Sequence, residues 1–179
     1  MTAARRPRLP WRRAGAAIAL AVGLAALAAP VRSQVDPGEG YDTSLPIEIS
    51  ADSLEVQQDL QTAIFRGNVD AVQGELNLRA DQLTVHYRRG DNGENTVSRI
   101  DAEGNVFLSS PSEMAQGDRG IYNVDADMIE LTGSVVLTRG ENVIKGNRLT
   151  LNLVTGKSKM ESGGGERVKA LFVPQSEPQ

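Results

Sequence analysis

The sequence lacks cysteine entirely and contains a single histidine among its 179 residues. Without cysteine the chain has no disulfide, no thiolate metal site and no cysteine nucleophile. A serine triad or a histidine metal site would have to use His86, and no partner pattern accompanies it. In the alternation around Leu83 and Val85 this histidine falls on the opposite face, which favours an exposed strand position. The sequence therefore predicts no catalytic residue, no cofactor and no metal.

Other motifs that carry chemistry are also missing. The acidic residues Asp125 and Asp127 fit neither an EF-hand nor a calcium-binding nonapeptide repeat, so turn chemistry explains them. The glycine-rich segments lack the following helix and lysine of a phosphate loop. Paired carboxylates for glycoside chemistry are the one enzymatic alternative left open, since 23 acidic residues always permit a pair.

The first 33 residues have the layout of a secretory signal peptide. An arginine-rich start precedes an apolar run from Ala14 to Ala29 and small residues suited to cleavage. The run is short for a membrane span, so we expect residues 1–33 to be cleaved and the protein exported, with a retained anchor as the alternative. Cleavage removes six arginines and no acid, which leaves 13 basic against 23 acidic residues and a net charge of about −10. Such a charge argues against a nucleic-acid partner.

The remaining chain divides into a leader, one repetitive domain and a tail. Residues 34–44 are rich in Pro, Gly, Asp and Ser without periodicity, and predict a flexible leader. Residues 45–173 form the predicted β domain, and residues 174–179 a disordered tail. Four similar segments recur in the domain at spacings of 29, 37 and 29 residues, each with one polar residue at the same place: Asp52, Asp81, Asp118 and Asn147.

The phase of the apolar alternation changes at these polar positions. Leu78 and Ala80 are in phase with each other, whereas Leu83 and Val85 are one step off. A one-residue slip sends the apolar side chains of a strand to the opposite face, so a repeated slip predicts a bulge or corner in each unit. We therefore expect structural corners, capped by side-chain to backbone hydrogen bonds, at Asp52, Asp81, Asp118 and Asn147.

Strands that bend at aligned corners and pair with their sequence neighbours build two curved antiparallel sheets around one apolar interior. The sequence thus predicts an all-β fold, an antiparallel jelly roll or flattened β-solenoid, without a helix after the signal peptide. A second series, Gly67, Gly104 and Gly133, interleaves with the corners, and Gly133 lies where a strand bends. The aliphatic interior fits either a plain core or a groove that holds a ligand.

Six motifs occur in order along the domain: Phe65-Arg-Gly-Asn-Val69, Leu78-Arg-Ala-Asp-Gln-Leu83-Thr-Val85, Glu103-Gly-Asn-Val106, Gly117-Asp118, Ile129-Glu-Leu-Thr-Gly-Ser-Val135 and Ile144-Lys-Gly-Asn-Arg-Leu149. With a signal peptide in front, this set resembles the OstA-like family of periplasmic lipopolysaccharide-transport proteins. The resemblance implies a jelly roll open along one side, whose apolar groove shields the acyl chains of lipopolysaccharide on the way from the inner to the outer membrane. It also implies that the protein is not an enzyme.

The same resemblance implies two kinds of protein partner. An inner-membrane-anchored transport protein would pair with one edge of the sheet and an outer-membrane assembly protein with the other, and copies would associate head to tail. The predicted edges are residues 47–50 and either residues 157–161 or 168–173. Two alternatives stay open: the inner-membrane-anchored relative of the same transport system, and an envelope scaffold that binds no lipid.

If the groove holds acyl chains, the inward-facing apolar residues of the strands are the candidate lipid contacts. They are Ile49, Leu54, Val56, Phe65, Val69, Leu76, Leu78, Leu83, Val85, Val106, Leu108, Ile121, Ile129, Leu131, Val135, Leu137, Leu149 and Leu151.

Overall fold

The computed structural model describes residues 40–90 and 93–174. The predicted signal peptide, the first part of the leader and the tail after Pro174 lie outside the described residues. The described chain is built from ten strands: β1 (Glu48–Ser50), β2 (Ser53–Gln57), β3 (Thr62–Gln73), β4 (Leu76–Arg89), β5 (Asn95–Ser109), β6 (Met114–Asn123), β7 (Met128–Arg139), β8 (Asn142–Asn152), β9 (Ser158–Glu161) and β10 (Lys169–Leu171). Residues 40–90 and 93–174 contain no helix, and hence none that could cross a membrane.

The ten strands form one antiparallel sheet, in which β3 to β8 follow each other in sequence order. Each edge of the sheet is formed by two short strands that pair with different parts of the same long strand. At the first edge β1 pairs with residues 70–72 of β3, and β2 with residues 62–66. At the last edge β9 pairs with residues 148–151 of β8, and β10 with residues 143–145. The two ends do not pair with each other, so the predicted antiparallel, open all-β fold is confirmed.

A β-bulge interrupts the pairing of every neighbouring strand pair from β3 to β8 at one level of the sheet. The register shifts lie between Arg66 and Val69, Arg79 and Gln82, Glu103 and Val106, Gln116 and Arg119, and Thr132 and Val135. In β3 the bulge is left-handed, with φ of 80° at Gly67 and 46° at Asn68. Glycine suits such a backbone because it has no Cβ to cause a clash. We call this row of bulges the bulge line.

The four predicted corner residues lie on the bulge line, and each side chain accepts a hydrogen bond from the segment that follows in sequence. For Asp52, Asp81, Asp118 and Asn147 the donors are Asn68 Nδ2, Asn105 Nδ2, Ser134 N and Gly163 N, at 2.8, 2.8, 3.2 and 3.1 Å. The last two are side-chain to backbone bonds, as the sequence suggests, whereas the first two join two side chains. The aspartates also fill the space beside the bulge glycines, where a Cβ would collide with a carboxylate.

The bulge line divides the sheet into two halves. Half-sheet 1 comprises β2, β9 and residues 62–66, 82–89, 95–103, 119–123, 128–132 and 148–152. Half-sheet 2 comprises β1, β10 and residues 69–73, 76–80, 106–109, 114–117, 135–139 and 142–146. Apolar side chains from both halves join one buried cluster, so the inner faces pack against each other. Leu83 and Leu131 of half-sheet 1 and Val69 of half-sheet 2 are at most 1% exposed.

The glycine and aspartate of one bulge can be tested together. In Gly104→Ala, the alanine must adopt the left-handed backbone conformation of Gly104, and its Cβ collides with the carboxylate of Asp81. We therefore expect the unfolding free energy to fall by roughly 2–3 kcal/mol. Gly140→Ala is the matched control, because its φ is 57° but nothing lies within 4 Å of the new Cβ; its loss should be about 1 kcal/mol.

Urea denaturation of both variants measures this difference. Adding Asp81→Ala should recover part of the loss in Gly104→Ala, because the clash is removed, and should not recover Gly140→Ala. Equal losses in the two glycine variants would contradict the role assigned to the aspartate.

Candidate functional site

The interior between the half-sheets is apolar and nearly filled. One cavity lies between Leu76 and Leu108 of half-sheet 2 and Leu149 and Leu151 of half-sheet 1, with a free volume of about 10 Å³. A second, beside Ile100 and Leu108, has about 30 Å³. Each has room for a water molecule at most, and the apolar lining would keep it dry. In this closed state the interior has no space for an acyl chain.

The inner face is open at the first edge of the sheet. Leu54 and Val56 of β2 point to the same side as the core residues but are 56% and 60% exposed. Together with Phe65 and Tyr87 they line a depression of about 580 Å³. Its rim is polar and includes Arg89 and several amide side chains. The apolar interior therefore reaches solvent at β2, and this depression is the candidate binding site.

The structure sorts the predicted lipid contacts into four groups. Twelve are buried in the closed core: Val69, Leu76, Leu83, Val85, Val106, Leu108, Ile129, Leu131, Val135, Leu137, Leu149 and Leu151. Three are partly buried against it: Ile49, Phe65 and Leu78. Leu54 and Val56 line the open depression. Ile121 forms the last group: it neither joins the apolar cluster nor lines the depression.

The placement of Ile121 differs from the sequence-based expectation that it faces inward. The alternation in β6 changes at Asp118, as in the other even-numbered strands, so that the buried positions are Gly120 and Tyr122. Sequence reasoning missed the change because glycine supplies no apolar side chain to mark the inward phase. A Cβ at Gly120 would lie 3.1 Å from Leu131, its neighbour in half-sheet 1, and 3.2 Å from Val106 of half-sheet 2, so glycine leaves room for the facing half-sheet here.

The leader also differs from its expected flexibility, because residues 40–44 lie against the sheet. Tyr41 N donates a hydrogen bond to Leu153 O at 2.7 Å, and its side chain packs on the apolar cluster. Burial raises the pKa of Tyr41, and that of Tyr122, above the ordinary tyrosine value, so both hydroxyls stay protonated and can donate at neutral pH. Sequence reasoning missed this segment because it has no periodicity.

No catalytic or metal centre stands out in residues 40–90 and 93–174. No group of three His, Asp or Glu side chains there is suited to hold a metal ion. His86 lies on the surface, with Nε2 at 2.9 Å from Asp101 Oδ2, and Asp101 also pairs with Arg99 at 2.6 Å. Ser98 Oγ donates to the backbone carbonyl of His86 at 3.2 Å, so this hydroxyl is engaged with the backbone, and the arrangement is a polar surface cluster.

An antiparallel sheet with two free edges, bent along one bulge line around an aliphatic interior, defines the class of open β jelly rolls. The profile of one family in this class, described as LptA/(LptD N-terminal domain) LPS transport protein, matches residues 48–157, more than half of the chain. The chain therefore belongs to this family, which confirms the resemblance predicted from its motifs.

Individual relatives agree with this assignment. An uncharacterized protein of Rhizobium meliloti (strain 1021) is 37% identical over 175 residues, which cover 92% of this chain and 93% of the relative. The lipopolysaccharide export system protein LptA of Escherichia coli (strain K12) is 26% identical over 136 residues, 74% of each chain. The LPS-assembly protein LptD of Salmonella paratyphi A is 31% identical over 87 residues, which are 49% of this chain and 11% of LptD.

Among solved structures, LptH of Pseudomonas aeruginosa has the same fold. It is described as the LptA homologous periplasmic component of the lipopolysaccharide transport device. The comparison has a TM-score of 0.63 at 20% sequence identity and covers 74% of this chain and 99% of LptH.

The placement of Ile121 outside the core can be tested by comparing it with Leu131, which lies inside the core. Leu131→Asp places an unpaired charge in the closed core, where Leu131 is 0% exposed, and should lower the unfolding free energy by about 3–5 kcal/mol or abolish folding. Ile121→Asp should cost less than about 1 kcal/mol, since its side chain lies outside the core cluster. Thermal denaturation followed by circular dichroism compares the two, and similar losses would place Ile121 back in the core.

Proposed function

We propose that this protein is a periplasmic lipopolysaccharide carrier, which shields acyl chains between its two half-sheets while the sugars and phosphates remain in solvent. The observation that carries the proposal is the exposed apolar face of Leu54 and Val56, which continues into the aliphatic interior. The similarity to LptA, LptD and LptH, which are described as lipopolysaccharide export, assembly and transport proteins, supports the same ligand class. The role needs no catalytic residue, cofactor or metal.

The chemistry of the interior favours acyl chains over other apolar ligands. It is lined mainly by Leu, Val, Ile and Ala, and each CH₂ group transferred from water to such a surface contributes about 0.8 kcal/mol. The acidic balance of the chain disfavours attraction of the phosphates from a distance. Binding therefore depends on apolar contact, and it requires the half-sheets to separate, because the cavities beside Leu76 and Leu108 have free volumes of only about 10 and 30 Å³.

The open edges fit a bridge between two membranes. A sheet edge presents unpaired N–H and C=O groups, which can pair with a strand of another protein. We infer that an inner-membrane-anchored transport protein binds one edge, that an outer-membrane assembly protein binds the other, and that copies of this chain join head to tail. Such head-to-tail contacts do not close, so they give filaments that grow with concentration.

The charges of the two edges are complementary. Residues 40–65, which contain the first edge, include five acidic and no basic side chains. Residues 157–173, which contain the last edge, include four basic and two acidic side chains. These opposite charges favour pairing of the first edge of one molecule with the last edge of another. They disfavour pairing of two first edges, where like charges would meet. This asymmetry supports one polarity for the chain of carriers.

An envelope scaffold without lipid is the second candidate, and the filled interior favours it. The two functions differ in what the inner face contacts. Replacing Leu54 or Val56 with a photoreactive phenylalanine analogue should give crosslinks to lipopolysaccharide in cells, since both side chains line the open depression. The same analogue at Ile121 is the control and should give none.

Immunoblotting for lipopolysaccharide detects the crosslinked product. No crosslink at either open position, combined with the absence of co-purifying lipid by mass spectrometry, would favour the scaffold.

The edge model predicts the effect of a short truncation. Removing residues 163–179 deletes β10 and exposes the unpaired segment of β8, so it should reduce concentration-dependent self-association while lipid binding by the monomer is retained. Removal of residues 175–179 alone is the control, because it leaves β10 in place. Light scattering over a range of concentrations measures the mass, and the same mass at every concentration for all three proteins would exclude head-to-tail association.

A further inference from the structure

Residues 40–47, here called the strap, lie across the mouth of the interior, on the side opposite the bulge line. At its start, Tyr41 touches turns from both half-sheets. Its N–H donates to Leu153 O at 2.7 Å, in the turn after β8 of half-sheet 1. Its hydroxyl lies 3.1 Å from Ser110 Oγ and 3.3 Å from Glu113 Oε1, in the turn before β6 of half-sheet 2. One tyrosine thus ties the two half-sheets together.

A buried glutamine forms the second anchor of the strap. Gln73 is 7% exposed, and its side-chain amide donates to Thr43 O and Leu45 O, both at 2.9 Å. Its side-chain carbonyl accepts a hydrogen bond from the hydroxyl of Tyr122, across the interior, at 3.1 Å. The same side chain therefore holds the strap and joins the half-sheets. Release of the strap leaves the buried amide N–H groups without partners, which favours separation of the half-sheets.

The Tyr41 ring lies directly above the interior. It lines the cavity formed by Leu76 and Leu108 on one side and Leu149 and Leu151 on the other. The backbone at the start of the strap also lies in close contact with the turn after β8. A Cβ at Gly40 would collide with the backbone carbonyl of Val154. Moving the strap away therefore uncovers the apolar interior along its mouth, beyond the depression at β2.

We propose that the strap is a displaceable gate: it covers the apolar interior in the lipid-free protein, and an acyl chain occupies the mouth only after the strap leaves. This inference rests on the proposed lipid-carrier function. The strap and the acyl chain then compete for the same apolar surface. Only the fraction of molecules with an open strap binds, so weakening the strap raises the apparent affinity.

Release and locking of the strap should have opposite effects on lipid binding. Tyr41→Phe removes the hydroxyl contacts but keeps the ring, and Tyr41→Ala removes both. Fluorescently labelled lipopolysaccharide should bind more tightly in the order wild type, Tyr41→Phe, Tyr41→Ala, with a gain of roughly five- to tenfold in the last. Each Kd is measured by titration at a temperature where circular dichroism shows the variant folded.

The locked form uses the absence of native cysteine, since no native thiol competes with a new pair, and a monomer band on a non-reducing gel shows that the bridge is intramolecular. A Cβ at Gly74 would lie 2.9 Å from Leu45 Cδ1. Cysteines at these two positions are therefore neighbours, and oxidation or a short bis-maleimide linker can join them. Because Gly74 has a φ of 58°, the reduced pair is first shown by circular dichroism to be folded. Oxidation should reduce lipopolysaccharide binding at least tenfold, and a reductant should restore it. The reduced protein is the matched control, because it carries the same substitutions.

An apolar dye separates failure of the gate from failure of the carrier function. An anilinonaphthalene sulfonate dye should fluoresce more strongly with Tyr41→Ala than with wild type, and least with the oxidised cysteine pair. Equal dye and lipopolysaccharide binding in the oxidised and reduced forms would overturn the gate alone. A dye response that follows the strap, without lipopolysaccharide binding by any form, would support the gate and overturn the carrier function.

Discussion

The bulge line determines which face of each strand becomes the interior. At one level of the sheet, every strand from β3 to β8 is interrupted, either by a left-handed glycine or by a one-residue phase change. In β3 and β5 a left-handed asparagine follows the glycine. A left-handed backbone conformation costs free energy in residues that have a Cβ, and glycine avoids this cost. The corner side chains bind the adjacent polar groups of the bulges. Since all the bulges align, the sheet bends once and its two inner faces meet.

The sequence predicts this architecture well because its determinants are local. The phase change between Ala80 and Leu83 and the polar corner at Asp81 can be read without knowing any distant contact. The inward orientation predicted for Ile121 is wrong, because the residue that faces inward is its neighbour Gly120, which has no apolar side chain to reveal the phase of the alternation. The sequence does not predict the placement of the strap, for a different reason. Tyr41 and Gln73 act through partners far away in sequence, and no short pattern reports such contacts.

The candidate site is likewise only partly predictable. Alternation identifies most inward residues, but it does not distinguish Leu54, at the open edge, from Leu131, in the closed core. That difference depends on position in the sheet, because β2 has a neighbour on one side only and little of half-sheet 2 lies opposite it. The exposed apolar surface and the free backbone of the first edge thus belong to the same short strand. A partner that pairs with β2 would also extend the apolar surface past the end of one molecule.

The bulge line also controls which changes in length the domain tolerates. The second repeat is longer than its neighbours, with a spacing of 37 residues against 29, and β4 and β5 extend further at that end. The phase of half-sheet 2 is unaffected, because each half-strand takes its register from the bulge. The hairpin of β4 and β5 thus accommodates extra residues, with a further register shift between His86 and Tyr87. A one-residue deletion between a bulge and a hairpin would instead turn the inner face of one half-strand outward.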